Sequence, residues 1–378
     1  MFPNRPLCHC GVPQGDDPLS DCIGYVQRNR ASMGGMLIKS EYDIQFQLPF
    51  PAPIIALLHV HPSLDSRLTT PDKLSVEHSA SAQVQSDAAP LAVEEYIDSF
   101  GNRCSRFNAP AGAIRLAGSS ILQAVDTPDA QGTGLAQTPV EQLPAETLQF
   151  LLASRYCQVD QFVGISQDLF GHTAPGWERA AAIRDWVHDK VMFNYKAARS
   201  TKTAMDVFTE RVGVCRDFQH LAVTMTRCMN IPARYVTGYL GDIRIPQGGP
   251  GDFSAWYQIW LDGHWWDMDA RHNTPRLGRV LMATGRDAAD VAITTSFGVA
   301  NLTHFSVESN EVDPNGNRVP LPPAPAPAQA AAGGIAPPQG AGQTTGAQTT
   351  GSQTTGSQTT GAQTTSTSPR LETEAGLQ

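Results

Sequence analysis

The amino-acid sequence predicts an α+β protein in which a β-sandwich-like domain precedes a core of helices and antiparallel strands. Up to about residue 125, hydrophobic and polar residues alternate over short segments, which is typical of half-buried strands. After residue 143 the hydrophobic residues recur at helical spacing, and strand-like segments then return. The grouping of strands and helices in separate stretches indicates the α+β class.

Residues 36–140 form the predicted β-rich N-terminal domain. Segments such as "IKSEYDIQF", "AVEEYIDSF" and "AIRLAG" alternate with a period of two, and Pro, Gly, Asp and Asn separate them. His59 and His61 fall on one face of a strand predicted in "IIALLHVH". Two histidines without a third ligand rarely form a metal site, so we interpret both as partly buried sheet residues.

A linker at residues 126–143 separates this domain from the predicted core at residues 150–312. Three segments of the core have helical spacing: "PGWERAAAIRDWVHDKV", "TAMDVFTERVG" and "CRDFQHLAVTMTRCMN", the last of which Pro232 stops. The strands predicted after these helices are "ARYVTGYL", "FSAWYQIWL" and "HWWDMDA".

Both ends of the chain are predicted to be disordered. The periodic strand pattern begins only after residue 35, so residues 1–35 are interpreted as an extension. Residues 313–378 combine a Pro- and Ala-rich stretch with "QTTG" repeats. Gln, Thr and Gly in a five-residue period cannot build a core, so a solubilising low-complexity tail is the favoured interpretation.

The composition argues against several classes of function. The chain has 378 residues, a net charge of -9 and no cluster of Lys and Arg, which argues against a nucleic-acid partner. No apolar stretch is long enough to cross a bilayer, so no membrane partner is expected. The N-terminal sequence shows no readable secretory signal, which makes a cytoplasmic location the default expectation. The odd number of cysteines does not indicate a disulfide framework, and the oligomeric state stays open.

Cys215 stands directly before a predicted amphipathic helix, after Gly213 and Val214. The backbone N–H groups and the positive end of the helix dipole are expected to lower the pKa of a thiol at this position and to make it reactive. The alternative is a small apolar residue that fills the start of the helix. Cys228, deep in the same helix, is expected to be such a core residue.

Asp269 lies in a predicted β-hairpin. Asp262 and Gly263 are a strong signal for a two-residue type I′ turn, which pairs Leu261 with His264. If both strands continue in this register, alternate side chains share one face of the hairpin. The residues on that face are Ser254, Trp256, Asp269 and Arg271.

Three segments resemble the bacterial transglutaminase-like superfamily: "RVGVCRDFQHLAVTMTRCMNIPARYVTGYL", "DFSAWYQIWL" and the run that begins "WWDMDARHN". The resemblance covers roughly residues 150 to 312, and the preceding strands resemble the β-rich region of those proteins. It implies a papain-like core with a Cys-His-Asp triad, in which Cys215 is the nucleophile and Asp269 orients the base.

The histidine of that triad does not carry over. The family usually has His before Ala-Trp, whereas this chain has Ser254, whose hydroxyl cannot accept a proton near neutral pH as imidazole can. His272 is the preferred substitute because it is nearest in sequence to Asp269. It could enter the cleft if the second hairpin strand ends at Ala270.

Two other histidines are weaker candidates for the base. His220 lies roughly 140° around the helix from Cys215, so a packed helix residue is the favoured interpretation. His304 precedes a late strand, and the sequence gives no reason to choose it.

The resemblance implies thiol-dependent amide chemistry through a Cys215 thioester, with transfer to an amine or to water. The implied partner is a protein or peptide substrate with Gln or other amide groups. No cofactor and no metal are expected, since the residues after Arg271 offer no persuasive calcium ligands. The glutamines of the tail are a further candidate for acyl donors.

Two alternatives stay open at this level. The first is a catalytically impaired binding or scaffold protein, because Ser254 occupies the usual histidine position. The second is redox sensing through Cys215, which lacks an evident resolving cysteine.

Overall fold

A computed structural model of the protein describes residues 35–80, 89–246 and 251–323. Most of the N-terminal extension and of the repeat tail therefore lies outside the described residues. The strands are β1 (Met36–Leu48), β2 (Ala52–Ala56), β3 (Leu74–Ser79), β4 (Ala89–Pro90), β5 (Glu94–Ile97), β6 (Arg103–Ala109), β7 (Gly112–Ala124), β8 (Met192–Phe193), β9 (Val212–Gly213), β10 (Ala233–Leu240), β11 (Phe253–Leu261), β12 (His264–Met268), β13 (Arg279–Gly285), β14 (Thr294–Ser296) and β15 (Asn301–Val312). The α-helices are α1 (Ala145–Leu148), α2 (Val159–Phe170), α3 (Trp177–Lys190), α4 (Ala204–Glu210) and α5 (Cys215–Cys228).

Two antiparallel sheets form the β-rich part of the protein. One has the strand order β15-β1-β7-β3-β4 and the other the order β14-β2-β6-β5. Along β1, buried and half-buried residues alternate, and Ile38 and Ile44 enter one hydrophobic core with Ile54 of β2 and Phe107 of β6. The alternation read from the sequence thus corresponds to the inner face of a sandwich, as predicted.

The end of the described chain completes both of these sheets. β15 pairs with β1 over its length, from Leu37 opposite Val312 to Gln47 opposite Asn301, and β14 pairs with β2. By strand pairing, residues 294–312 therefore belong to the β-rich part. The order of strands in the sequence does not reveal that β14 and β15 pair with β2 and β1, because the paired segments lie far apart in the chain.

In the core, α5 packs on the antiparallel sheet β12-β11-β10-β13, and helices α2, α3 and α4 contact α5 as well. Phe218 and Leu221 of α5 are fully buried in the hydrophobic cluster of this region. Arg227, only 1% exposed, donates hydrogen bonds to the carbonyl oxygens of Ala233, Leu152 and Arg286. The guanidinium of Arg227 is thus bound on several sides, which lets this charged side chain of α5 lie at the centre of the fold.

The three predicted helices and the strand β10 are confirmed, but two details differ from the sequence prediction. β2 ends at Ala56, so His59 and His61 lie in the following loop and not on one strand face. The loop forms a backbone hydrogen bond to β13, in which His61 N donates to Leu281 O over 2.9 Å. α2 was not predicted. No helix within the described ranges is both long and apolar enough to cross a membrane.

Residues 313–319, at the start of the tail that was predicted to be disordered, form a hydrogen-bonded turn. Asp313 N donates to Asn317 O over 2.9 Å, and Val319 N donates to Glu311 O over 2.8 Å. The turn brings the chain back beside β15. The remainder of the predicted tail is not described.

We expect Gly238→Ala to lower the free energy of unfolding by about 1–3 kcal/mol, because the added methyl group overpacks the centre of the sheet. A Cβ atom at Gly238 would lie 2.2 Å from Val280 O and 2.5 Å from the ring of Trp256. The measurement is urea denaturation. Gly164→Ala in α2 is the control, since its Cβ would meet nothing within 4 Å. It should be neutral or stabilising by up to about 1 kcal/mol. Equal stabilities of the two variants would contradict the packing argument.

Candidate active site

The start of α5 holds Cys215 in a fixed position. Gly213 lies so close to Asp217 that a Cβ atom at residue 213 would be 2.6 Å from the Asp217 Cβ. Val214 N donates to Asp217 Oδ2 over 3.0 Å, and Asp217 N donates to Val214 O over 2.8 Å. These reciprocal bonds cap the helix and make Cys215 its first residue.

The segment before the cysteine is held from the other side by a buried lysine. Lys202 Nζ donates to Val212 O over 2.9 Å and pairs with Glu210 at the same distance. β9 also pairs in parallel with β8, which places Phe193 opposite Gly213. The chain around Cys215 is thereby fixed by contacts that reach back to residue 193.

The hairpin β11–β12 has the predicted register. Leu261 lies opposite His264 and Tyr257 opposite Met268, and the turn residues Asp262 and Gly263 have φ values of 52° and 72°. Positive φ at both central residues is the signature of a type I′ turn. The prediction that this pairing continues to Asp269 and Arg271 is wrong, because β12 ends at Met268.

Asp269 ends the strand because its carboxylate binds the backbone that follows. Asp269 Oδ1 accepts hydrogen bonds from Arg271 N over 2.9 Å and from His272 N over 3.1 Å. These bonds turn the chain away from β11, so Arg271 does not pair with Ser254 in the strand ladder. The same turn brings the imidazole of His272 back to the carboxylate.

His272 and Asp269 form a direct pair, with His272 Nδ1 2.9 Å from Asp269 Oδ2. Asp269 is only 4% exposed. Burial favours its neutral form, but the hydrogen bond from His272 and the charge of Arg279 outweigh burial and hold the pKa of Asp269 well below its usual range. The carboxylate is therefore ionised at neutral pH and suited to orient the imidazole through Nδ1, leaving Nε2 as the proton acceptor.

Three residues that support Asp269 were not identified from the sequence. Gln219 Nε2 donates to Asp269 Oδ1 over 3.2 Å. Arg279 donates to Asp269 Oδ2 over 3.1 Å, and Asp129 binds Arg279 over 2.8 Å. Gln219 follows Cys215 by one helical turn, a spacing that could have indicated it. Asp129 gave no signal, because it lies in the segment read as a linker.

Cys215, Ser254 and His272 line one cleft with a volume of about 810 Å³. The structure thus brings three of the four predicted site residues to one cavity, and the fourth, Asp269, binds His272. Asp252 and Arg271 line the same cleft.

The other histidines considered from the sequence do not reach this cleft. His220 is fully buried, stacks on Tyr156 and accepts a hydrogen bond at Nε2 from Ala288 N over 3.1 Å. It is a packed helix residue, as predicted. His304 lies on β15 opposite Gln45, outside the residues that line the cleft.

The predicted lowering of the Cys215 pKa is wrong in direction. Removal of the sulfur from water raises the pKa of Cys215 to about 11, and the negative charge of Asp252 acts in the same direction. Arg271 and the backbone N–H groups of Arg216 and Ala255 lower it, but by less. The helix start therefore does not create a thiolate by itself, and the thiol is protonated at neutral pH in the substrate-free protein.

We expect the rate of Cys215 alkylation by iodoacetamide to rise with pH, because only the thiolate reacts, with half of the maximal rate near pH 11. Arg271→Gln should raise the pKa further and slow alkylation at pH 9 by up to about tenfold, as expected for a pKa change of one unit or less. Arg271→Lys keeps the charge and is the matched control. A midpoint below pH 8 in the wild type would contradict the conclusion that burial raises the pKa of Cys215.

Comparison with known proteins identifies the family. Residues 164–270 match the profile of the transglutaminase-like superfamily. The crystal structure of a candidate cysteine protease from Cytophaga hutchinsonii is 30% identical in sequence, with a TM-score of 0.63, and the similarity covers 76% of this chain and 94% of that chain. The chain belongs to the transglutaminase-like superfamily. Members of this superfamily carry thiol-dependent hydrolase or acyltransferase chemistry on a papain-like core.

Two uncharacterized mycobacterial proteins are similar to this superfamily member. One, from Mycobacterium leprae, is 27% identical over 209 residues, which cover 52% of this chain and 73% of that protein. The other, from Mycobacterium tuberculosis, is 25% identical over 225 residues, which cover 54% of this chain and 72% of that protein. Their names assign no activity.

Within the transglutaminase-like core, Ser254 is the clear departure from the expected triad. It pairs with Gly238 of β10 and is 8% exposed on the wall of the cleft. The residue at this position therefore supplies a hydroxyl and no imidazole, and the imidazole of His272 lines the same cleft from the end of the hairpin.

Proposed function

We propose that this protein catalyses thiol-dependent amide chemistry with Cys215 as nucleophile, His272 as general base and Asp269 as the residue that orients the base. One observation carries the proposal: the ionised Asp269 holds Nδ1 of His272, and His272 and Cys215 line one cleft. This arrangement supplies the functional groups of a Cys-His-Asp triad, with the histidine coming from a different position in the chain.

The raised pKa of Cys215 defines how the first step proceeds. Because the thiol is protonated in the resting protein, His272 takes the proton as the sulfur attacks the amide carbon of the substrate. The leaving amine then receives that proton, and a thioester with Cys215 remains. Backbone N–H groups at the start of α5 stabilise the oxyanion that forms during the attack.

The acceptor of the acyl group decides the overall reaction. Transfer to a primary amine is transglutamination, and transfer to water is deamidation or proteolysis. The name of the Cytophaga hutchinsonii protein supports hydrolysis, whereas the superfamily supports either outcome. We infer a protein or peptide substrate that presents Gln or another amide to the cleft.

The test is an assay of the intact protein with a Gln-containing peptide and a fluorescent primary amine. We expect ammonia release or peptide cleavage that depends on Cys215, together with a thioester adduct on Cys215 after acid quenching, detected by mass spectrometry. Mass analysis of the peptide then distinguishes amine incorporation from conversion of Gln to Glu or cleavage. The control is Cys228→Ala, which removes a thiol outside the cleft.

A binding or scaffold role without catalysis is the second candidate. Ser254 on the cleft wall and the raised pKa of Cys215 favour it. Substrate binding without any ammonia release or adduct on Cys215, in the same assay, would support this role and contradict the enzymatic proposal. Activity gained only in Ser254→His would do the same.

A further inference from the structure

The C-terminal end of the described chain runs along the candidate active site. Residues 305–310 of β15 form part of the wall of the cleft that contains Cys215. The turn after β15 returns the chain, and Arg318 lines the same cleft. The last described residues, 319–323, therefore follow directly on a residue of the cleft wall.

The sequence beyond this point contains regularly placed carboxamides. Within the "QTTG" repeats, Gln recurs every five residues, and Thr, Gly, Ala or Ser flank each copy. The repeated glutamines are Gln343, Gln348, Gln353, Gln358 and Gln363. No lysine occurs after residue 202, so the tail offers acyl donors and no side-chain amine acceptor.

The connecting chain is long enough for these glutamines to reach Cys215. Between Arg318 and Gln343 the chain can span up to roughly 80–90 Å if fully extended, at 3.3–3.6 Å per residue. This is far more than the width of a cleft of about 810 Å³ to which Arg318 already belongs. Tethering also makes the encounter intramolecular, which raises the effective concentration of the donor.

The charges around the cleft are compatible with an uncharged donor. Arg271 and Arg276 line it together with Asp242, Asp252 and Glu308, so both signs of charge are present. A charged donor would meet like charge on one part of this wall, whereas the repeats carry no charge.

We propose that the glutamines of the protein's own "QTTG" repeats are acyl donors for Cys215. The inference rests on the proposed function, because it requires the thioester chemistry. The sulfur of Cys215 bonds to the side-chain amide carbon of a repeat Gln, the C–N bond breaks, and ammonia leaves with the proton taken from the thiol.

A primary amine completes the reaction. Its nitrogen bonds to the thioester carbon, the C–S bond breaks, the amine proton returns to the sulfur through the base, and a secondary amide forms. With water in place of the amine, the repeat Gln becomes Glu. The chain is thus linked to an amine-bearing molecule or gains one negative charge for each converted Gln.

The experiment uses the full-length protein and dansylcadaverine, with the labelled residues mapped by mass spectrometry. We expect label on the repeat glutamines and none after Cys215→Ala. Gln131 and Gln142, exposed in the folded part, serve as internal controls and should carry little label. Label on the tail in cis should form about 10²-fold faster than on an equimolar free repeat peptide. The rate per molecule should not depend on protein concentration.

Casein, added as a second acyl donor, distinguishes the self-substrate proposal from the proposed function. If casein is labelled in a Cys215-dependent reaction while the repeats are not, the self-substrate proposal is overturned and the proposed function stands. Tail labelling in proportion to protein concentration also overturns it, because the donor then acts between molecules. If neither donor is labelled or hydrolysed, the proposed function fails as well. Changing all five repeat glutamines to Asn should abolish tail labelling and leave casein labelling intact.

Discussion

Cys215→Ala is expected to reduce turnover of an amide substrate by at least about 10⁴-fold, because the substitution removes the thiol that forms the thioester. Among the cysteines that the structure describes, only Cys215 lines the cleft. Cys157 is fully buried, and Cys228 lies on a separate pocket of about 260 Å³. The measurement is kcat/KM for ammonia release.

The loss should reflect chemistry and not unfolding. Cys215 is half-buried and packs against the cluster around Tyr235 and Ala255, so its truncation to Ala removes only the sulfur. The melting temperature and the affinity for substrate should therefore change little. Cys228→Ala is the matched control and should keep wild-type activity. Full activity of Cys215→Ala would exclude the proposed nucleophile.

His272→Ala is expected to reduce kcat/KM by roughly 10²–10⁴-fold, the usual contribution of a general base. Because the thiol of Cys215 is protonated at neutral pH, attack depends on a group that accepts its proton. The loss should fall mainly on kcat and should diminish as the pH approaches the pKa of the thiol, where the base is no longer needed. The measurement is the pH dependence of kcat/KM between neutral and alkaline pH.

The fold should survive this change, because Asp269 keeps its bond to Arg279 when the imidazole is removed. His304→Ala, at an exposed position on β15 outside the cleft, is the matched control and should behave as wild type. A Ser254→His change in the His272→Ala background tests whether the position usual for the family can supply the base. An unchanged rate in His272→Ala would show that the assigned base is wrong.

Short-range patterns predicted most of the scaffold. The helix that begins at Cys215 and the hairpin with the Asp262–Gly263 turn were readable because helical spacing and turn chemistry depend on neighbouring residues. The place of His272 near Asp269 followed from their closeness in sequence. The return of β15 to β1 was not readable, since strand pairing over such a distance has no local signal.

The support of Asp269 shows the same limit within the site. Gln219, Arg279 and Asp129 come from a helix, a strand and a segment read as a linker, and only folding brings them to one carboxylate. The hydrogen bond from His272 and the charge of Arg279 hold the pKa of Asp269 low, in opposition to burial. A sequence pattern cannot predict the resulting pKa, because each contribution depends on distances in space that only the folded chain sets.

The sequence by itself determined which groups are available: a cysteine at a helix start, an aspartate after a type I′ hairpin, and a serine where the family usually has histidine. The tertiary structure alone decided how these groups behave. It placed Cys215, Ser254 and His272 on one cleft and raised the pKa of the thiol instead of lowering it. The physical reason is that the pKa of a thiol depends on burial and on charges within a few ångströms in space. The position of Cys215 at a helix start is only one of these contributions.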